Sequence, residues 1–168
     1  MPKIIENLPQ RLAEEARRQI EESGFGAMTI RSVAKACGVG VGTVYNYFPS
    51  KEALVATFML NDWKECVACI QSCSEVSGDM KPVLRTIYEK LQLFMKQYDP
   101  IFRDESAATS YTGSTSRYHN VLRSQLAGPI RKFCRDDFTA EFIAEAMLIW
   151  TVAGKDFDEL SEVLLRIN

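Results

Sequence analysis

Apolar residues recur at helical spacing in almost every segment of the chain. Leu8, Leu12, Ala16 and Ile20 fall four apart, one stripe of an amphipathic helix that Gly24 ends. Pro9 suits the first turn of that helix, where an N–H has no intrahelical partner. Thr29 stands at an N-cap position, and Ile30, Val33 and Ala34 form the apolar face of a short second helix. After the break Cys37-Gly38-Val39, a third short helix is predicted over about 40–47. Pro49-Ser50 closes it, and Ser50 caps a long helix that starts at Lys51 and can run to about Cys73.

The second half is equally helical. Ser77-Gly78-Asp79 reads as a turn. Leu84, Ile87, Leu91, Phe94 and Met95 mark a helix over about 80–98, which Asp99-Pro100 is expected to interrupt. Residues 106–117 are polar and without period, a loop or weak helix. A helix follows over 118–133, with Gly128-Pro129 ending or kinking it. Phe142, Ile143, Ala146, Met147, Ile149, Trp150 and Ala153 give a broad apolar surface that Gly154 ends. Phe157, Leu160, Val163, Leu164 and Ile167 stripe a last helix. Strand-like alternation and internal repeats are missing, so the pattern predicts an all-α fold.

Composition narrows this. The 168 residues are 46% hydrophobic and 25% charged, as in a soluble globular chain of one ordinary domain or two small ones. No apolar run reaches the ~20 residues of a membrane-spanning helix. The segment MPKIIENLPQ lacks the apolar core of a secretory signal, so the expected location is the cytoplasm. Five cysteines do not make a disulfide scaffold in such a chain. A net charge of −2 argues weakly against nucleic acid, but binding depends on a patch rather than a total. Residues 1–52 carry seven Lys/Arg against six Asp/Glu, and residues 53–168 thirteen against sixteen. The small basic excess lies on the N-terminal side.

The stretch CGVGVGTVYNYFPSKEAL (37–54) places Gly38, Gly40 and Gly42 directly before three aromatics. A phosphate loop of the GxxxxGK[ST] type needs Lys-Ser/Thr after its last glycine, and here Thr43-Val44 follows. A GxGxxG turn has to follow a strand, and this one follows a helix. Interleaved apolar residues exclude a linker. The remaining reading is a helix–turn–helix, with Gly38 at a positive-φ position and the 40–47 helix aimed at a DNA major groove. Gly40 and Gly42 each lower helicity by up to ~1 kcal/mol, understandable where backbone must approach phosphate or bases closely.

The segment TIRSVAKACGVGVGTVYNYFPSKEAL (29–54), with RLAEEARRQIEESGF before it, resembles the N-terminal domain of TetR-family transcriptional regulators. The matching features come in order: Thr-Ile-Arg, Val-Ala, Cys-Gly-Val, Gly-Thr-Val-Tyr, Tyr-Phe and Ser-Lys-Glu-Ala-Leu. The resemblance covers about residues 8–60. It implies a helix–turn–helix DNA-binding domain over 1–52 and a helical effector-binding and dimerisation domain over 53–168. The implied protein is a homodimeric repressor, released from a palindromic operator by a small-molecule effector whose identity does not carry over.

Residue roles follow from the resemblance and from chemistry together. Thr29, Tyr45 and Tyr47 offer hydroxyls to phosphate, and Lys51 its ammonium. Arg31 and Lys35 flank the groove. Thr43 and Asn46 are best placed for base edges, and Val41 for a thymine methyl. Gly40 and Gly42 give the close approach; Val44 and Phe48 face the core. Gly40 departs from the family pattern, which often has Ser there. Base readout is therefore thin, and DNA shape is expected to contribute to specificity.

Other groups admit bland readings beside the sharp ones. Cys66, Cys69 and Cys73 share a helix face, either a thiol or metal sensor or small core-facing residues. His119, the one histidine, is expected at the surface. Phe94, Tyr98, Phe102, Tyr111, Tyr118 and Trp150 can line an effector pocket or pack as core. Phe142, Ala146, Ile149, Trp150, Leu160 and Leu164 on the last two helices suggest a four-helix dimer interface. No catalytic constellation stands out, so no enzyme, metal or cofactor is expected. A thiol or metal sensor of the same fold and a regulator without a ligand stay open as alternatives.

Overall fold

The computed structural model describes residues 7–104 and 115–167. Among these, eight α-helices and no strand are present: α1 (Leu8–Ser23), α2 (Ile30–Ala36), α3 (Val41–Tyr45), α4 (Lys51–Val76), α5 (Met80–Phe102), α6 (Thr115–Ile130), α7 (Asp137–Val152) and α8 (Phe157–Arg166). A 3-10 turn, Arg131–Phe133, follows α6. No helix among the described residues is long and apolar enough to cross a membrane.

The chain divides into two compact units. The first holds the described residues up to Asp62 together with 99–104; the second holds Trp63–Tyr98 and 115–167. Helices α4 and α5 each supply residues to both.

In the first unit the α1 stripe is buried as its spacing requires: Leu8, Leu12, Ala13, Ala16 and Ile20. Gly24 ends α1 at φ +85°, where a side chain is disfavoured. Ile30, Val33 and Ala34 of α2 and Val44 of α3 pack into the same core, joined by Phe25, Met28 and Phe48. Arg17 ties α1 to α4 through two bonds to Asp62, at 2.7 and 2.9 Å.

The second unit has its own core, in which Trp63 and Ile70 of α4 meet Leu84, Ile87 and Leu91 of α5, Leu126 and Ile130 of α6, and Ile143 and Met147 of α7. Each such side chain contributes roughly 1.5–3 kcal/mol by leaving water. The Trp63 indole N–H keeps a partner, donating to Gln125 Oε1 at 2.6 Å. Asp136 caps α7 by accepting from the Thr139 N–H at 2.7 Å. Asp156 caps α8 in the same way through Asp158 and Glu159.

One expectation changes. Pro100 does not interrupt α5, which continues to Phe102. A proline removes one N–H and crowds the carbonyl four residues back, and near a helix end little ladder remains to lose. Buried Tyr98 and Ile101 hold either side of it, and the Arg103 N–H still reaches the Asp99 carbonyl at 3.0 Å. Pro129 stands in the last turn of α6, which ends at Ile130 and passes into the 3-10 turn; its carbonyl accepts from the buried Ser74 hydroxyl.

Candidate nucleic-acid interface

The head is built by local rules. Thr29 caps α2: its Oγ1 accepts from the Ser32 N–H at 3.0 Å, and the Ser32 hydroxyl accepts from the Thr29 N–H at 3.1 Å, a reciprocal box. The Ser32 hydroxyl also donates to Gln19 Oε1 at 2.5 Å, which fixes α2 against α1. Gly38 adopts φ +70° between α2 and α3, the turn residue of the helix–turn–helix. Ser50 caps α4 by accepting from the Ala53 N–H at 3.1 Å.

These devices leave a polar, aromatic and basic surface. Arg31, Lys35, Asn46 and the two glycines Gly40 and Gly42 are exposed. Tyr45 and Tyr47 are 52% and 49% exposed, high for aromatic side chains that could have joined a core. Val41 and Thr43 are half-buried. Thr29, Arg31, Val41, Tyr45 and Lys51 come together around one open concavity of about 470 Å³, which Gly26, Met28, Ile30, Pro49 and Ser50 complete. Lys35, Thr43, Asn46 and Tyr47 lie outside that lining.

Two of the lining side chains are engaged within the head itself. The Thr29 hydroxyl serves the α2 cap and lies 3.1 Å from Ser32 Oγ. The Lys51 ammonium donates to the Phe25 carbonyl and sits 3.9 Å from the centroid of the Phe25 ring. Burial pulls the Lys51 pKa below the usual lysine value, opposed by the nearby Asp104 and Glu52 carboxylates. Asp104 accepts from the Gly26 N–H at 3.1 Å. Sequence reasoning missed Asp104, because 78 positions separate it from Gly26 and no motif links them. It missed Ser32 and Gln19 as well, although Ser three residues after Thr29 is a legible capping pattern.

The candidate effector residues scatter. Phe94 and Tyr98 pack with ring centroids 4.7 Å apart, and Trp63 meets Phe94 edge-on at 5.5 Å. Phe102 belongs to the first unit and is exposed, and Trp150 is exposed on α7. Tyr111 and the Tyr118 side chain lie outside the described residues. On the last two helices, Phe142, Ile149 and Trp150 are about half exposed, Phe138 78% exposed, and Ala146 and Leu160 half-buried. Leu164 is a correction: it is 2% exposed, on the side of α8 that packs into its own core, and cannot face a partner.

His119 meets Glu145 of α7 at 2.7 Å, with the Arg123 guanidinium 3.8 Å from the same carboxylate. Cys69 is exposed, while Cys66 and Cys73 are half-buried; Thr86 donates to Cys73 Sγ at 3.2 Å. Burial raises the Cys37 and Cys134 thiols, which disfavours the reactive thiolate. Among the described residues no three potential metal ligands come together.

Comparison with known proteins agrees with the head. Residues 12–57 match the family described as bacterial regulatory proteins, tetR family. The HTH-type transcriptional regulator UidR of Escherichia coli K12 is 34% identical over 58 residues, which make up 34% of this chain and 30% of UidR. The chain thus spans under a third of that relative's length. The HTH-type transcriptional repressor Rv1474c of Mycobacterium tuberculosis is 24% identical over 98% of this chain and 95% of its own. The Thermus thermophilus TetR-family repressor FadR, solved with lauroyl-CoA, shares the fold at a TM-score of 0.60 and 20% identity, covering 95% of this chain and 92% of FadR.

Proposed function

The chain belongs to the TetR family of bacterial transcriptional regulators, and on that premise we propose that it is a cytoplasmic, homodimeric repressor of a palindromic operator. The domain that reads DNA is residues 1–52, and residues 53–168 dimerise and bind an effector. One observation carries the DNA reading: Thr29, Arg31, Val41, Tyr45 and Lys51, far apart in kind, line one concavity of the helix–turn–helix head.

In this reading α3 enters the major groove. Thr43, Asn46 and Val41 meet base edges, with Asn suited to adenine and Val41 to a thymine methyl. Arg31, Lys35, Tyr45, Tyr47 and Lys51 engage the backbone, which sets affinity and register. Gly40 and Gly42 leave the α3 backbone free to approach. Two heads of a dimer meet half-sites about one DNA turn (~34–36 Å) apart.

Dimerisation uses the exposed apolar face of α7 with its neighbour α8. Phe138, Phe142 and Ile149 align along α7 at helical spacing, and the Phe138 and Phe142 rings stack with centroids 6.5 Å apart. A soluble monomer rarely leaves such a strip in water. Glu145 falls within that strip, where it meets His119 at 2.7 Å and faces the Arg123 guanidinium at 3.8 Å.

An effector acts by binding two arrangements of the dimer unequally. Helix α4 is the natural lever, because it begins at the DNA-binding Lys51 and continues into the second unit's core. We assign the effector to the second unit, where Phe94 and Tyr98 pack with ring centroids 4.7 Å apart. Selection of sites from random duplex DNA tests the DNA reading, and thermal shift against a metabolite panel tests the effector.

A further inference from the structure

The peptide unit joining Phe25 to Gly26 is held at both ends. Its carbonyl accepts from the Lys51 ammonium, and its N–H donates to Asp104 Oδ2 at 3.1 Å. The chain holds no cis peptide among its described residues, so these two groups point opposite ways along one amide. A cation on the oxygen and an anion on the N–H polarise the same bond system, and each strengthens the other's hydrogen bond. The Phe25 ring adds a second hold on the ammonium at 3.9 Å.

Asp104 reaches this point from an unexpected direction. It follows the end of α5, whose turns up to Tyr98 belong to the second unit, while Asp104 itself belongs to the head. Gly26 admits it closely: a Cβ there would lie 3.4 Å from Asp104 Oδ2. Lys51 lies at the first turn of α4, on the concavity that Arg31 and Tyr45 also line.

We propose that Asp104 is a positioning residue for Lys51: through the Phe25–Gly26 peptide it holds the ammonium on the head's own backbone and sets how readily that ammonium turns to a DNA phosphate. The inference rests on the reading of Lys51 as a phosphate contact. To reach DNA, Lys51 must leave a polarised carbonyl and an aromatic face. The Asp104 charge favours the cation where it is, on the Phe25 carbonyl. A change at the end of α5 that withdrew Asp104 would release Lys51 without any change in the helix–turn–helix itself.

The test uses the full chain and one selected operator duplex, with binding followed by fluorescence anisotropy over a range of salt. Asp104→Asn keeps an oxygen for the Gly26 N–H and removes the charge; Asp104→Ser is a second neutral variant should the first fail to fold. The neutral variant is expected to bind about threefold tighter than the parent, the scale of a partly exposed ion pair. Lys51→Ala should bind more weakly, and the double variant should bind like Lys51→Ala, since the gain acts through the ammonium. If Lys51→Ala weakens binding but the neutral variants match the parent, the positioning role is wrong and the phosphate contact stands. An equal gain with and without Lys51 would reduce Asp104 to a general charge and also overturn the inference. Unchanged binding by Lys51→Ala would remove the reading beneath it.

Discussion

Thr29 is expected both at an N-cap and at phosphate, and its oxygen is found capping α2 on the Ser32 N–H. Removing that cap by Thr29→Ala should cost about 1 kcal/mol of stability, measured by urea denaturation. A loss well below that would mean that the cap contributes little in this context. Asp136 is the corresponding residue in the second unit. Its backbone hydrogen bond from Thr139 holds its carboxyl below the usual range. A depressed folded pKa gives stability that is full above the unfolded value and lost as pH falls through the folded one. Asp136→Asn keeps an acceptor at the cap and removes the titration. Its melting temperature should therefore fall less steeply than the parent's in acid, below about pH 4. Parallel curves would assign the acid sensitivity to other carboxylates.

Helices were legible to different degrees, and the reasons are physical. Helix α1 shows in Leu8, Leu12, Ala16 and Ile20, because its stripe is regular and both ends carry stop signals, Pro9 and Gly24. The end of α5 was misread, because the proline rule is strongest in a helix interior and Pro100 stands two residues from the end. Leu164 was misplaced because a stripe shows that a face is apolar and not whether it packs inward. Asp104 was invisible, since a contact across 78 residues leaves no local pattern. Helix α3 carries the clearest element-scale test. A Cβ at Gly42 would meet nothing within 4 Å, so the protein itself does not require glycine there. Gly42→Ala should leave the fold intact or stabilise it by up to ~1 kcal/mol. The same variant should bind its operator more weakly, because the added methyl obstructs the approach of backbone to DNA. Undiminished binding would show that α3 does not approach DNA along that edge.

The whole molecule is proposed to work as a pair. Phe142 stands half exposed on α7 beside stacked Phe138, and Glu145 on the same strip faces Arg123 of α6. Phe142→Glu would place an uncompensated charge against its own symmetry mate. Sedimentation should then show monomer, and operator affinity should drop as one head loses its neighbour. A dimer that persisted would move the interface elsewhere. Beneath this lies the reading of a sequence-specific DNA-binding dimer. Its most direct test is selection of binding sites from random duplex DNA with the full chain, followed by salt titration of the winner. The expected result is an enriched palindrome, half-sites about one turn apart, with affinity falling steeply as salt rises. No enriched sequence, with only weak salt-sensitive binding to every duplex, would contradict it.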